Sequence, residues 1–117
     1  MLKIKGMLVS KLDIDQKNSL YYEFEKGKKN NYTYVFLNAL TGNTSAWNGI
    51  IGKRVKDAGH GYLTYNLRVQ INSNFDESIN LTSEIIISDL LKLIGHLNLK
   101  NIILCGLSIG GLYATIA

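Results

Sequence analysis

Residues 102–111 read Ile-Ile-Leu-Cys-Gly-Leu-Ser-Ile-Gly-Gly. No other stretch of the chain restricts its fold as strongly. A short apolar run enters the segment, and a helix-compatible stretch, residues 112–117, leaves it. Between them stands Gly106-Leu107-Ser108-Ile109-Gly110. In strand–turn–helix context, Gly-x-Ser-x-Gly is a sharp turn that lifts a serine hydroxyl above the carboxyl ends of a parallel sheet. Positions 106 and 110 must be small, because strand and helix cross closely there. The segment lacks the Gly-Lys-Ser/Thr ending of a phosphate loop and the G-x-G-x-x-G spacing of a dinucleotide site.

The rest of the chain supplies elements for such a sheet. Residues 2–9 alternate and read as a strand. Residues 19–25, Ser-Leu-Tyr-Tyr-Glu-Phe-Glu, read as a second, aromatic-rich one. Lys26, Lys28 and Lys29 cluster at a polar turn. Residues 32–38 form a stronger strand, continuously apolar from Tyr34 to Leu37, which predicts cover on both faces. Residues 39–44 are a loop. Residues 45–58 then predict one helix, with Trp47, Ile50, Ile51, Val55 and Ala58 at helical spacing and Gly59 placed to stop it. Residues 61–67 are another strand, and residues 68–81 a long polar loop. Residues 82–98 are the clearest helix. Thr82 can cap it, Glu84 sits in its first turn, and Ile86, Leu90, Leu93, Ile94 and Leu97 form an apolar stripe. Residues 100–105 lead into the serine turn. The pattern predicts one α/β domain over residues 1–117. Its sheet is mostly parallel, with about five strands flanked by helices and two leading strands as an antiparallel edge.

An unassisted serine hydroxyl is a poor nucleophile. It needs a base, a group that orients the base, and donors for the oxyanion that forms. Ser108 is the candidate nucleophile, and Gly106 and Gly110 are the structural glycines of its turn. The Ile109 backbone N–H, at the start of the following helix, is one candidate oxyanion donor and gains from the helix dipole. A second donor belongs to the loop after residues 32–38. There the Leu40 N–H is the candidate, with Ala39 the alternative.

Composition removes several classes of function. Hydrophobic residues make up 46% and charged residues 19%, which suits a packed core and argues against disorder. The net charge of +4 comes from scattered lysines rather than a basic face, so no nucleic-acid partner is expected. The single Cys105 excludes an internal disulfide framework and fits a reducing compartment. Residues 1–9 carry no long apolar run, so a cytoplasmic location is expected. Residues 101–117 are uncharged, but Asn101, Ser108, Tyr113 and Thr115 dilute a stretch already short for a membrane span. No His, Cys or carboxylate cluster has ligand spacing, so neither a metal nor an organic cofactor is expected.

These residues resemble the N-terminal half of an α/β-hydrolase, along nearly the whole chain. Leu20-Tyr21-Tyr22-Glu23 is similar to that family's second strand, and Val35-Phe36-Leu37-Asn38 to the strand that usually ends in His-Gly. Residues 61–68 resemble the strand that usually ends in Asp-x-Arg-Gly, and residues 106–111 the serine turn. Asn38-Ala39 stands where His-Gly is common. Enol-lactone hydrolases also carry Asn there and have a similar Cys-Gly-Leu-Ser turn, while Ala39-Leu40-Thr41-Gly42 resembles the corresponding loop of homoserine acyltransferases. Asn66 and Val69 replace the usual Asp and Gly. The resemblance implies a serine hydrolase that takes a small-molecule ester, lactone or related acyl substrate through an acyl-enzyme. An acyltransferase and a catalytically inactive interaction module are the alternatives.

In this fold the triad runs Ser, then Asp or Glu, then His. Both histidines, His60 and His96, precede Ser108 and are expected near the amino ends of parallel strands, as is suited to a turn residue and a helix-end residue. Asp76 lies in a loop at the serine's end of the sheet, where ordinary solvation is its expected role. The triad acid and histidine are therefore expected outside this sequence, with the C-terminal half of the fold absent. Residues 102–105 would then be an apolar sheet edge. A truncated product, or one half of a two-chain assembly that completes sheet and triad, is expected.

Overall fold

A computed structural model describes residues 2–4, 6–28 and 31–117 of the chain. Met1, Lys5, Lys29 and Asn30, which include one position of the leading strand and one lysine of the polar turn, lie outside the described residues. The elements are β1 (Leu2–Ile4), β2 (Met7–Asp13), β3 (Ser19–Glu25), β4 (Thr33–Leu37), α1 (Ser45–Asn48), α2 (Ile50–Asp57), β5 (Gly61–Tyr65), α3 (Ser83–His96), β6 (Ile102–Gly106) and α4 (Ile109–Ile116). The six strands form one sheet in the order β1-β2-β3-β5-β4-β6. β4 runs parallel to both β5 and β6, as the helix-linked part of the sequence predicts. The antiparallel part is one strand longer than expected, because β1 pairs with β2, β2 with β3, and β3 with β5.

Two elements differ from the sequence reading. The strand expected over residues 2–9 is two strands, folded back at Gly6, whose φ of 84° is left-handed and suits glycine. β2 then continues to Asp13 through Ser10 and Lys11, polar residues that hide a strand in the sequence. The helix expected over residues 45–58 is broken at Gly49, where ψ is −115°. The break resets the helical phase. Ile50 and Ile51, placed on the buried stripe by spacing, are exposed, and so is Ala58. Gly52 faces the sheet instead, where a Cβ would lie 2.9 Å from the Tyr62 ring. The helix expected over 82–98 stands as α3: the Thr82 side chain accepts from the Ile85 N–H at 3.2 Å, and Ile86, Leu90 and Leu93 are buried.

Alternation along β4 and β5 divides the core between the two faces of the sheet. Val35 and Leu37 join Leu63, Tyr65 and the α3 stripe on one face. Phe36 and Tyr62 meet Trp47 of α1 on the other, with the Phe36 and Trp47 rings stacked at 4.6 Å. Tyr34 to Leu37 is thus covered on both sides, as its continuous apolarity predicts. β6 pairs only with β4 among the described residues, and Ile102 to Cys105 are half-buried.

Candidate active site

Ser108 follows β6 directly and precedes the first turn of α4. Its φ of 58° and ψ of −119° lie outside every ordinary basin for a residue with a side chain. The other non-glycine residues with positive φ among those described are Asn72, Asn98 and Asn101, of the type that tolerates it best. Such a backbone state costs about 1–3 kcal/mol and persists only when its surroundings enforce it. Here close main-chain packing does so. A Cβ on Gly106 would overlap the Gly110 carbonyl, and one on Gly110 would lie 2.5 Å from the Leu37 oxygen and 2.7 Å from the Asn38 oxygen. The Leu107 N–H donates to the Leu37 oxygen at 3.1 Å, tying the turn to the end of β4. The Ser108 side chain is exposed and does not cap α4. Burial pushes the nearby Cys105 thiol above its ordinary pKa, which makes it a poor nucleophile beside the serine.

The loop after β4 is held by side-chain amides. Asn38 is buried. Its Nδ2 shares its two hydrogens among the Tyr65 carbonyl at 2.7 Å, Asn66 Oδ1 at 3.1 Å and Gln70 Oε1 at 3.0 Å, and its Oδ1 accepts from the Trp47 indole N–H at 2.7 Å. Asn66, fully buried, accepts from the Thr44 N–H at 2.9 Å and donates to the Ile71 carbonyl at 2.8 Å. The two asparagines that depart from the usual His and Asp therefore meet each other, and together they fix both ends of the loop over residues 38–44. Glu23 of β3 ties the end of this loop to α1, accepting from Thr44 Oγ1 at 3.1 Å and Asn48 Nδ2 at 2.7 Å. Farther along, Arg68 binds Asp89 of α3 through Nε at 2.7 Å and Nη2 at 2.9 Å, both residues being buried. That contact holds the Arg68 guanidinium pKa above its ordinary value.

Leu40, the candidate second oxyanion donor, lies in this loop with its side chain exposed, and Ala39 precedes it. Ile109 opens α4. Neither the Leu40 nor the Ile109 N–H donates to a backbone acceptor in the turns and loops described.

The histidines stand elsewhere. Register aligns Gly61 with Thr33 and Thr33 with Ile102, so His60 sits at the amino ends of the parallel strands. The carboxyl ends, where Ser108 stands, are four residues away, about 13 Å at about 3.3 Å per residue. His60 Nδ1 accepts from the Tyr32 N–H at 3.2 Å, and its ring packs on Tyr32 and Tyr34. His96 lies in the last turn of α3, edge-on to Tyr22 at 6.4 Å. Asp76 is at the serine's end of the sheet but beside the start of β3, where Asn74 bridges Ser19. β5 and β4 intervene between β3 and β6, three spacings or about 14 Å. Hydrogen bonds from Ser78 hold the Asp76 carboxyl below its ordinary pKa. No three His, Cys, Asp or Glu side chains gather into a metal-holding group among the described residues. No described helix is long and apolar enough to cross a membrane.

This arrangement is the N-terminal part of the α/β-hydrolase fold. Similar solved structures include a carboxylesterase of the thaumarchaeon Nitrososphaera gargenis, 28% identical with a TM-score of 0.81 over 92% of this chain and 39% of that one. An α/β hydrolase of Novosphingobium aromaticivorans is 16% identical with a TM-score of 0.83, over 97% of this chain and 40% of that one. The haloalkane dehalogenase DpaA of Paraglaciecola agarilytica is 25% identical with a TM-score of 0.74, over 89% and 36%. The chain thus spans well under half the length of the structures it matches. No family model and no curated protein matches the sequence.

The Asn38–Asn66–Gln70 network and the Arg68–Asp89 pair were not legible as site-forming residues. Their one signal in the sequence is that the two departures from the family pattern both introduce asparagine, at positions that end adjacent parallel strands.

Proposed function

We propose that Ser108 is the nucleophile of an acyl hydrolase acting on an ester, lactone or related small acyl substrate. The observation that carries this reading is the positive φ of Ser108 on a turn at the carboxyl end of β6, with its hydroxyl exposed and uncommitted to the helix. In the proposed reaction Ser108 Oγ attacks the acyl carbon while its proton passes to a base, and the leaving alcohol departs with a proton. Water then releases the acid and restores the hydroxyl. The Leu40 and Ile109 N–H groups take the oxyanion of each tetrahedral intermediate. Transfer of the acyl group to another hydroxyl uses the same first half.

His60, at the amino ends of the parallel strands, is too far from Ser108 to serve as the base, and His96 lies in the last turn of α3 against Tyr22. The reading therefore places the triad acid and histidine outside these 117 residues, with a second polypeptide segment pairing along the free edge of β6. The same distance favours a second reading for the chain by itself, a non-catalytic module that keeps the turn without the base. Fluorophosphonate labelling with added imidazole separates the two, because free imidazole can replace an absent base. The hydrolase reading expects slow labelling at Ser108 that rises with imidazole concentration and vanishes in Ser108→Ala. Folded protein that stays unlabelled at every imidazole concentration supports the non-catalytic module.

A further inference from the structure

The geometry points to Gln70 as the residue that positions the oxyanion donor: its side-chain amide turns the Leu40 and Thr41 N–H groups toward Ser108. The inference rests on the reading of Ser108 as nucleophile. Gln70 is 8% exposed, and all four hydrogen-bonding positions of its amide are filled. Nε2 donates to the Ala39 and Leu40 carbonyls, each at 2.9 Å. Oε1 accepts from Asn38 Nδ2 at 3.0 Å and from the Leu67 N–H at 2.8 Å. Exchanging the amide oxygen and nitrogen would set acceptor against acceptor twice and donor against donor twice. The network therefore fixes which way the amide points.

Peptide planarity carries this to the donors. In a trans peptide the C=O and N–H point in opposite directions. The Ala39 carbonyl faces Gln70, so the Leu40 N–H faces away from it. The Leu40 carbonyl also faces Gln70, so the Thr41 N–H faces away as well. Strand order supplies the direction. β4 lies between β5 and β6, so Gln70, from the loop after β5, reaches residues 39–40 from one side while Ser108 stands on the other. Two successive N–H groups turned outward in this way form an anion-binding concavity. The Ala39 carbonyl also accepts from the Gly42 N–H at 2.9 Å, which closes the turn that carries both donors. The side chain thus acts through the main chain, and Gln70 is a positioning residue.

Residual dipolar couplings of the Leu40 and Thr41 N–H vectors, measured on the full chain, test the orientation. In the wild type they should place both vectors on the β6 side of the loop, and the Gln70 side-chain amide hydrogens should exchange slowly. Gln70→Glu sets carboxylate oxygens against the two carbonyls, and Gln70→Met fills the space with no donor. Both should change the two couplings while those of β4 and β5 stay fixed. Both should also slow fluorophosphonate labelling of Ser108 about 100-fold or more, the usual effect of losing an oxyanion donor. Wild-type vectors turned away from Ser108, or labelling rates unchanged in both folded variants, would overturn the inference. If neither variant folds, the wild-type couplings decide alone. A wild-type chain that never labels at Ser108 sinks the nucleophile reading, and the couplings still decide separately whether Gln70 sets the two peptides.

Discussion

The two shoulders of Ser108 are built by different physics. On the β5 side, side-chain amides of Asn38, Asn66 and Gln70 satisfy one another and hold the loop over residues 38–44. On the β6 side, the turn is held by main chain pressed on main chain, with glycines at 106 and 110 because nothing larger fits. A buried hydrogen-bond network tolerates little chemical change but some change of shape. A close backbone crossing tolerates no added volume at all. The loop over residues 38–44 is therefore fixed by which groups it meets, and Ser108 by how little room it has.

Substitutions on each shoulder separate these mechanisms, the largest effect falling on the β6 side. Gly106→Ala drives a methyl into the Gly110 carbonyl, and neither backbone can yield. It should cost about 4 kcal/mol or more, read as a collapse of the urea midpoint. A mild loss would mean that the turn is looser than the packing implies.

On the β5 side, Arg68→Met leaves the buried Asp89 carboxyl without its partner, at a cost of about 3–5 kcal/mol. The double variant Arg68→Met/Asp89→Leu should recover most of that loss, since an apolar pair of similar volume restores packing without an unpaired charge. Urea unfolding of the three proteins checks the cycle, and a double variant no better than the single one would contradict the account. Asn38→Leu deprives the Trp47 indole and Gln70 Oε1 of a partner, and about 2 kcal/mol should follow. That loss should come with a changed Trp47 fluorescence spectrum, because the indole N–H loses its acceptor.

The smallest effect lies at the rim. Asp15 is held below its ordinary carboxyl pKa of 3.8 chiefly by the Lys17 N–H, with the Asn18 side chain adding to it, and Asp76 by the Ser78 hydroxyl and N–H. For each, the folded state binds its proton less readily than the unfolded chain. The stabilisation is therefore fully present above about pH 4 and is lost as pH falls through the depressed folded value. Asp15→Asn and Asp76→Asn should each flatten the dependence of stability on pH below 4, by a small amount because both groups are exposed. An unchanged acid limb would contradict it.

The β6 shoulder was legible in the sequence because its parts are contiguous. Five residues, Gly106 to Gly110, carry both the strained turn at Ser108 and the reason for its small neighbours. The β5 shoulder was not, because Asn38, Asn66 and Gln70 come from two loops and meet only after β4 and β5 align in parallel. The break at Gly49 was hidden for a related reason. Ile50 and Ile51 continue the apolar spacing set by Trp47, and a single backbone torsion changes which face they occupy. The helix over α3 was readable from its cap and stripe, yet Asp89 on its buried face waits for Arg68, 21 residues earlier, to make sense.

We propose one strained serine, on the crowded shoulder, as the chemical centre of this fold. Peptide mapping after fluorophosphonate treatment in imidazole buffer tests it most directly. A single adduct, on the peptide that contains Ser108, is the expected result. Adducts spread over other serines, or a folded chain that carries none, would contradict it.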